Sequence, residues 1–132
     1  MARSVALPGG ELEYAVLVAL WDLSVATAKD VHARIGAPSG LAYTTIAKVL
    51  DRLCAKGLVS RERLGRAFEY RPRVERPRLE RARAREMLKR LFASEPHPAV
   101  ATLVDAVESL DPELLDELAR VVALRRRSRR GS

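Results

Sequence analysis

The stretch Leu41-Ala42-Tyr43-Thr44-Thr45-Ile46-Ala47-Lys48-Val49-Leu50-Asp51-Arg52-Leu53-Cys54-Ala55-Lys56-Gly57 decides how the rest of the chain is read. Ile46, Val49, Leu50 and Leu53 recur at helical spacing, so a helix with one apolar stripe is expected over about 42–56. Gly57 supplies a left-handed stop. On the side opposite the stripe fall Thr44, Thr45, Lys48, Arg52 and Ala55, with Asp51 at the margin. An ordinary surface helix carries Glu and Lys pairs four apart on that side. This one opens on two threonines and is small or basic along its outer face. A helix entering the major groove of DNA needs short polar groups nearest the bases and cations at its flanks for phosphates. Helical side chains tilt toward the N-terminus, so Tyr43, Thr44 and Thr45 are expected to reach deepest. A threonine there can bond a base edge or touch a thymine methyl.

Downstream, 58–63 and 67–71 read as two strands around Leu64-Gly65-Arg66. Arg61, Arg63 and Arg66 lie on or beside that tip, while Val59, Phe68 and Tyr70 offer a packing face. Alone, such a hairpin is a solvated edge kept soluble by arginine. Directly after a helix-turn-helix pair it becomes a wing whose basic tip follows a phosphate backbone. Upstream, residues 11–23 read as a helix with Leu12, Ala15, Val16, Ala19 and Leu20 on one face. Residues 24–26 form a short extended link. Thr27-Ala28-Lys29-Asp30 has the form of a capping box, opening a second helix that runs to about Ile35 and ends at Gly36 and Pro38. The order is helix, short strand, helix, helix, strand, strand.

These motifs carry a family resemblance. Leu20-Trp21, Thr27-Ala28-Lys29-Asp30-Val31, Leu41-Ala42-Tyr43-Thr44-Thr45-Ile46, Leu50-Asp51-Arg52-Leu53 and Lys56-Gly57-Leu58-Val59 resemble the penicillinase-repressor family of BlaI/MecI type. The resemblance covers about 10–72 and, more loosely, the tail to about Ala123. It implies a dimeric, DNA-binding transcriptional repressor whose C-terminal helices clamp the dimer. Resistance-system members are inactivated by proteolysis between Asn and an aromatic residue. The matching Ala101-Thr102-Leu103-Val104 has no such pair, so a regulatory protease is not expected as a partner. Copper-sensing relatives carry paired cysteines near the C-terminus, which this chain lacks.

Beyond Pro77 everything reads as helix, over about 78–92, 98–109 and 112–125, with Asp111 an apt N-cap before Pro112. Leu79, Ala82, Leu88, Leu91 and Phe92 line one helix, and Val100, Leu103, Val104 and Val107 the next. Leu114, Leu115, Leu118, Val121 and Val122 line the last. Three short helices after a complete winged core have little to bury against, so a second copy is expected to cover them. The alternative is a monomeric helical subdomain folded back on the core. The fold expected is mainly α with a small β-hairpin. It comprises a winged helix-turn-helix domain (1–72), a helical dimerisation region (73–125) and a disordered Arg-rich tail (126–132). Arg125-Arg126-Arg127-Ser128-Arg129-Arg130 reads as a solvated end or, alternatively, as a sequence-blind electrostatic arm.

Composition narrows the rest. The 132 residues are 48% hydrophobic and 31% charged, a globular balance. The net charge is +7, split +3 and +4 at Pro72, and 20 of 24 bases are Arg, which favours polyanionic partners. The longest apolar run, 15–21, is too short for a bilayer, and Met1-Ala2-Arg3-Ser4 lacks a leader pattern. One cysteine rules out an intramolecular disulfide and multi-cysteine metal sites, so a reduced, cytoplasmic setting is expected. Cys54 reads as a core filler rather than a redox sensor, and His32 as a hydrogen-bonded residue rather than a ligand. Glu113, Asp116 and Glu117 suit the dipole of the last helix. No nucleophile–base pair, phosphate-cradling loop or carboxylate dyad occurs, so no enzyme, metal or cofactor is expected. The leading expectation is a homodimeric repressor on a palindromic operator. A winged-helix protein-interaction module and a sequence-blind architectural DNA binder are the rivals.

Overall fold

Local chemistry sets the boundaries of the first elements in the computed structural model, which describes residues 7–131. Helix α1 spans Glu11–Leu23 and buries Val16, Leu17, Ala19 and Leu20. Strand β1 is only Ala26–Thr27. Thr27 then caps α2 (Ala28–Val31) as expected: its hydroxyl accepts from the Asp30 amide at 3.2 Å, and the Asp30 carboxylate accepts from the Thr27 amide at 3.0 Å. Such a cap is worth about 1 kcal/mol. The second helix is regular for those four residues alone. It widens into a π turn over His32–Gly36 and tightens into a 3-10 turn over Ala37–Ser39, which Gly40 ends at φ +72°.

Helix α3 spans Tyr43–Ala55, and Ile46, Val49, Leu50 and Leu53 are all fully buried. Gly57, at φ +76°, turns the chain into β2 (Val59–Leu64). Strand β3 (Ala67–Pro72) pairs antiparallel with β2 from Val59↔Pro72 to Leu64↔Ala67, leaving Gly65-Arg66 as a two-residue loop. Gly65 has φ +63° and Arg66 does not share the positive φ, the pattern of a type II′ hairpin with glycine first. Strand β1 joins the other edge of β3, giving the order β1-β3-β2. Helix–strand–helix–helix–strand–strand is the order read from the sequence, and a winged helix-turn-helix is its architecture.

Helix α4 spans Arg76–Leu91, and the chain divides into two compact units after Ala84, within this helix rather than at Pro72. Its first half is drawn into the winged core. Leu79 is fully buried there, Trp21 Nε1 donates to the Val74 carbonyl at 3.0 Å, and Tyr14 Oη donates to the Glu80 carboxylate. The Arg83 guanidinium lies 3.5 Å from the Tyr14 ring centroid.

In the second unit, α5 (Pro96–Leu110) and α6 (Pro112–Arg130) pack together across Asp111. Helix α5 begins at Pro96, not Pro98, because prolines in a first helical turn forfeit only amides that have no intrahelical partner. Asp111 caps α6 by accepting from the Glu113 amide at 2.9 Å. Helix α6 continues through Arg130, which corrects the expectation of a disordered tail over 126–130. Arginine is a good helix former, its charge suits a helix C-terminus, and no glycine intervenes before Gly131. No helix among the described residues is long and apolar enough to cross a membrane.

Candidate nucleic-acid interface

The turn between α2 and α3 is held by two close contacts. His32 Nε2 donates to the Leu41 carbonyl at 2.8 Å, and its ring meets Tyr43 edge-on at 6.0 Å between centroids. A Cβ on Gly36 would stand 2.5 Å from His32 Cδ2 and 2.9 Å from Ile46 Cγ1, so only glycine lets α2 approach α3 this closely. The approach fixes the start of α3. Ala42, in the N-cap position, offers no side-chain cap, and its carbonyl accepts from the Thr45 amide at 3.1 Å. Tyr43, Thr44 and Lys48 are exposed and Thr45 is half-exposed on the side away from the core.

The cations of this unit fall into two groups. Several are engaged within the fold. Glu13, almost buried on α1, binds Lys56 Nζ at 2.7 Å and Arg52 Nε at 3.7 Å. Burial pushes the Glu13 carboxyl up, but the Lys56 hydrogen bond, the Gly9 amide and the charges of Lys56 and Arg52 outweigh it and leave the pKa lowered. Arg61 binds Asp51 at 3.0 Å and lies 4.5 Å over the Phe68 ring, tying the wing to α3. Arg34 pairs with Asp22 at 3.3 Å. Arg63 donates to the Gly65 carbonyl at 3.3 Å and so braces the hairpin tip. By contrast, Lys29, Lys48 and Arg66 have no acidic partner among the described residues, and the same holds for Arg71, Arg73, Arg76 and Arg81 farther along the unit.

Lys29 and Arg66 share a groove of about 410 Å³ lined also by Thr27, Ala28, Tyr43, Ala67, Phe68 and Tyr70. The groove runs between the start of α2, the start of α3 and the wing. Lys29 is absent from the residues singled out in the sequence, although a signal was there. The capping box opens α2 with buried Ala28 followed by exposed Lys29, which places a cation on the outer side of the turn. The wing also has unlike faces. Arg61 and Arg63 stand opposite Tyr70 and Phe68, whereas Glu62 stands directly opposite Glu69 on the other face. A phosphate backbone is repelled by the acidic face and attracted by the basic one.

Cys54 is half-buried, and burial pushes its thiol pKa up. Among the described residues no cluster of three or more His, Cys, Asp or Glu could hold a metal ion. The apolar residues expected at a dimer seam lie in the second unit. Leu88, Leu91, Leu114, Val121 and Val122 are exposed, and Phe92, Leu103, Val104, Val107, Leu115 and Leu118 are half-buried.

A helix-turn-helix whose second helix presents threonines and a free lysine, followed by a basic-tipped hairpin, defines a winged-helix protein of the nucleic-acid-binding class. The family model described as penicillinase repressor matches residues 9–123, and the chain belongs to that family. The chain is 36% identical over 115 residues to the transcriptional regulator BlaI of Mycobacterium tuberculosis, covering 86% of this chain and 82% of that one. Similar solved structures include the DNA-binding domain of the repressor BlaI, 25% identical over 54% of this chain and 88% of that chain, with a TM-score of 0.48. Another is the CopR repressor, 31% identical over 53% of this chain and 99% of that chain, with a TM-score of 0.44. The family is one of transcriptional repressors, which is not an enzyme class.

Proposed function

We propose that this repressor acts as a homodimer on a palindromic operator in double-stranded DNA, in the cytoplasm, blocking promoter sequence by occupancy. The observation that carries the reading is the sorting of charges around α3: cations behind or beside it are neutralised by Glu13 and Asp51, while Lys48, Lys29 and Arg66 are left without acids. Thr44 and Thr45 are assigned to base edges, with Tyr43 beside them and Lys48 one turn later. Lys29 and Arg66 grip phosphates across their shared groove, and Arg63 supports the wing tip that carries Arg66. Arg52 and Arg61 take a different part from a simple phosphate contact: each retains an exposed edge, but its intramolecular pair sets the angle of α3 or of the wing.

The dimer reading rests on the apolar side chains of the second unit, which a second copy buries about a two-fold axis. Two α3 helices related by that axis read two half-sites, so operator symmetry follows protein symmetry. Selection of bound duplexes from a random pool tests the proposal. It is expected to return a palindrome. A pool that stays random while binding remains tight identifies a sequence-blind architectural binder, and no binding at all identifies a protein-interaction module.

A further inference from the structure

The last turns of α6 hold Arg125, Arg126, Arg127, Arg129 and Arg130 on a continuous helix, all exposed. Glu117 is the last acid on that helix and already binds Arg120. Among the described residues none of the five has an ion-pair partner. Arg125 and Arg129 stand four apart, as do Arg126 and Arg130, and like charges at that spacing repel. The helix dipole relieves a cation at the C-terminus but falls off within one turn, so the repulsion is left partly uncompensated inside the chain.

The cluster also interrupts a pattern. Leu118 and Val122 are followed on the same helix face by Arg125 and Arg129, so an apolar stripe becomes basic within one turn. The apolar stripe ends at that turn, and beyond it the helix offers charge rather than apolar area. Five guanidinium groups with no interleaved acid or aromatic side chain suit a repeating anion with little base discrimination, which is the phosphate backbone of a duplex.

We infer that the C-terminal basic end of α6 is a second, sequence-blind contact for the phosphates of double-stranded DNA, separate from the base-reading surface of α3. This rests on the repressor reading proposed for α3 and the wing. It gives the protein affinity for any duplex and leaves operator choice to α3.

The test compares the full chain with a variant carrying Gln at all five positions and another carrying Lys at all five. Binding is measured over a range of salt on the selected palindrome and on random duplex of the same length. The Gln variant is expected to bind both duplexes more weakly by a similar factor. Its salt slope should fall by roughly 0.9 for each phosphate that is no longer neutralised, with a total fall of about 2 or more. The Lys variant should restore most of the slope, and both should sediment as the wild type does. An unchanged slope in the Gln variant overturns the inference. So does weakening confined to the palindrome, which would mean the cluster reads sequence. So does weakening that Lys fails to restore, or that comes with dissociation of the dimer, because either makes the role structural. If instead the Gln variant keeps its duplex affinity but no longer binds phosphatidylserine vesicles, the partner is a membrane surface and the inference is wrong. Failure of the wild type itself to prefer any duplex would remove the repressor reading, an outcome distinct from all of these.

Discussion

Among the described residues, every buried apolar side chain except Ala99 lies before Ala84, although the segment after it is no poorer in leucine and valine. The winged unit closes its core with Leu17, Leu20, Ile46, Leu50, Leu53 and Leu79 and satisfies its buried carboxylate Glu13 with Lys56. The helical unit instead leaves Leu88, Leu91, Val100, Leu110 and Val122 open to solvent. A buried Leu or Val side chain stabilises by about 1.5–3 kcal/mol, and the second unit gains little of this alone. Helices of 15 and 19 residues are marginal without tertiary packing. The contrast separates a unit that buries its apolar side chains within one chain from a unit that leaves most of them exposed, which is the observation behind the proposed dimer.

The largest effect should come from the helical unit. Changing Leu118 and Val122 together to Asp places charge in the proposed dimer seam, at an expected cost of several kcal/mol. Sedimentation of the double variant should show monomer, and the winged unit should keep its own unfolding transition. An unchanged dimer, or a wild type that is monomeric at micromolar concentration, breaks the comparison.

The winged unit should respond to smaller changes. Gly36→Ala forces a methyl against the bonded His32 ring and the fully buried Ile46, and should destabilise the winged unit by about 1–3 kcal/mol. Thermal unfolding that is unaltered by this variant would mean that α2 has slack against α3. Glu13→Gln should cost about 1–2 kcal/mol near neutral pH, because the hydrogen bond to charged Lys56 is weakened while Lys56 keeps part of its exposure to solvent. The pH dependence has a definite sign. The folded pKa of Glu13 is lowered, so its contribution is fully present above the unfolded carboxylate pKa and is lost as pH falls through the lowered value. The wild type and Glu13→Gln should therefore converge in stability on acidification. A gap that stays constant with pH would assign the effect to packing instead.

What was legible in the sequence was local. The 3.6-residue stripe of α3, the Thr27–Asp30 capping box and the glycines at 57 and 65 each act within a few residues, so periodicity and turn chemistry expose them. Pairings between distant positions were not legible. Nothing in the spacing of Arg52 and Glu13, or of Trp21 and Val74, announces that they meet. The domain edge lies past Pro72 for this reason, since Leu79 and Glu80 belong to contacts with α1 that only the folded chain creates. The candidate site was legible only in part. Its threonines and Lys48 stood out as an odd helix face, whereas Lys29 required knowing that the start of α2 and the wing share a groove. The C-terminal arginines misled in the opposite direction, because a run of like charge is usually a disordered end and here helix propensity carries α6 through it.

The central claim is that the outward face of α3 reads bases, and Thr44→Ala and Thr45→Ala test it most directly. Each removes one hydroxyl without changing charge. Binding to the selected palindrome should weaken by about 1–3 kcal/mol, roughly fivefold to 150-fold, while binding to random duplex barely moves and the salt slope stays constant. Equal weakening on the palindrome and on random duplex would contradict the account, because the threonines would then support the helix or a phosphate and not the sequence.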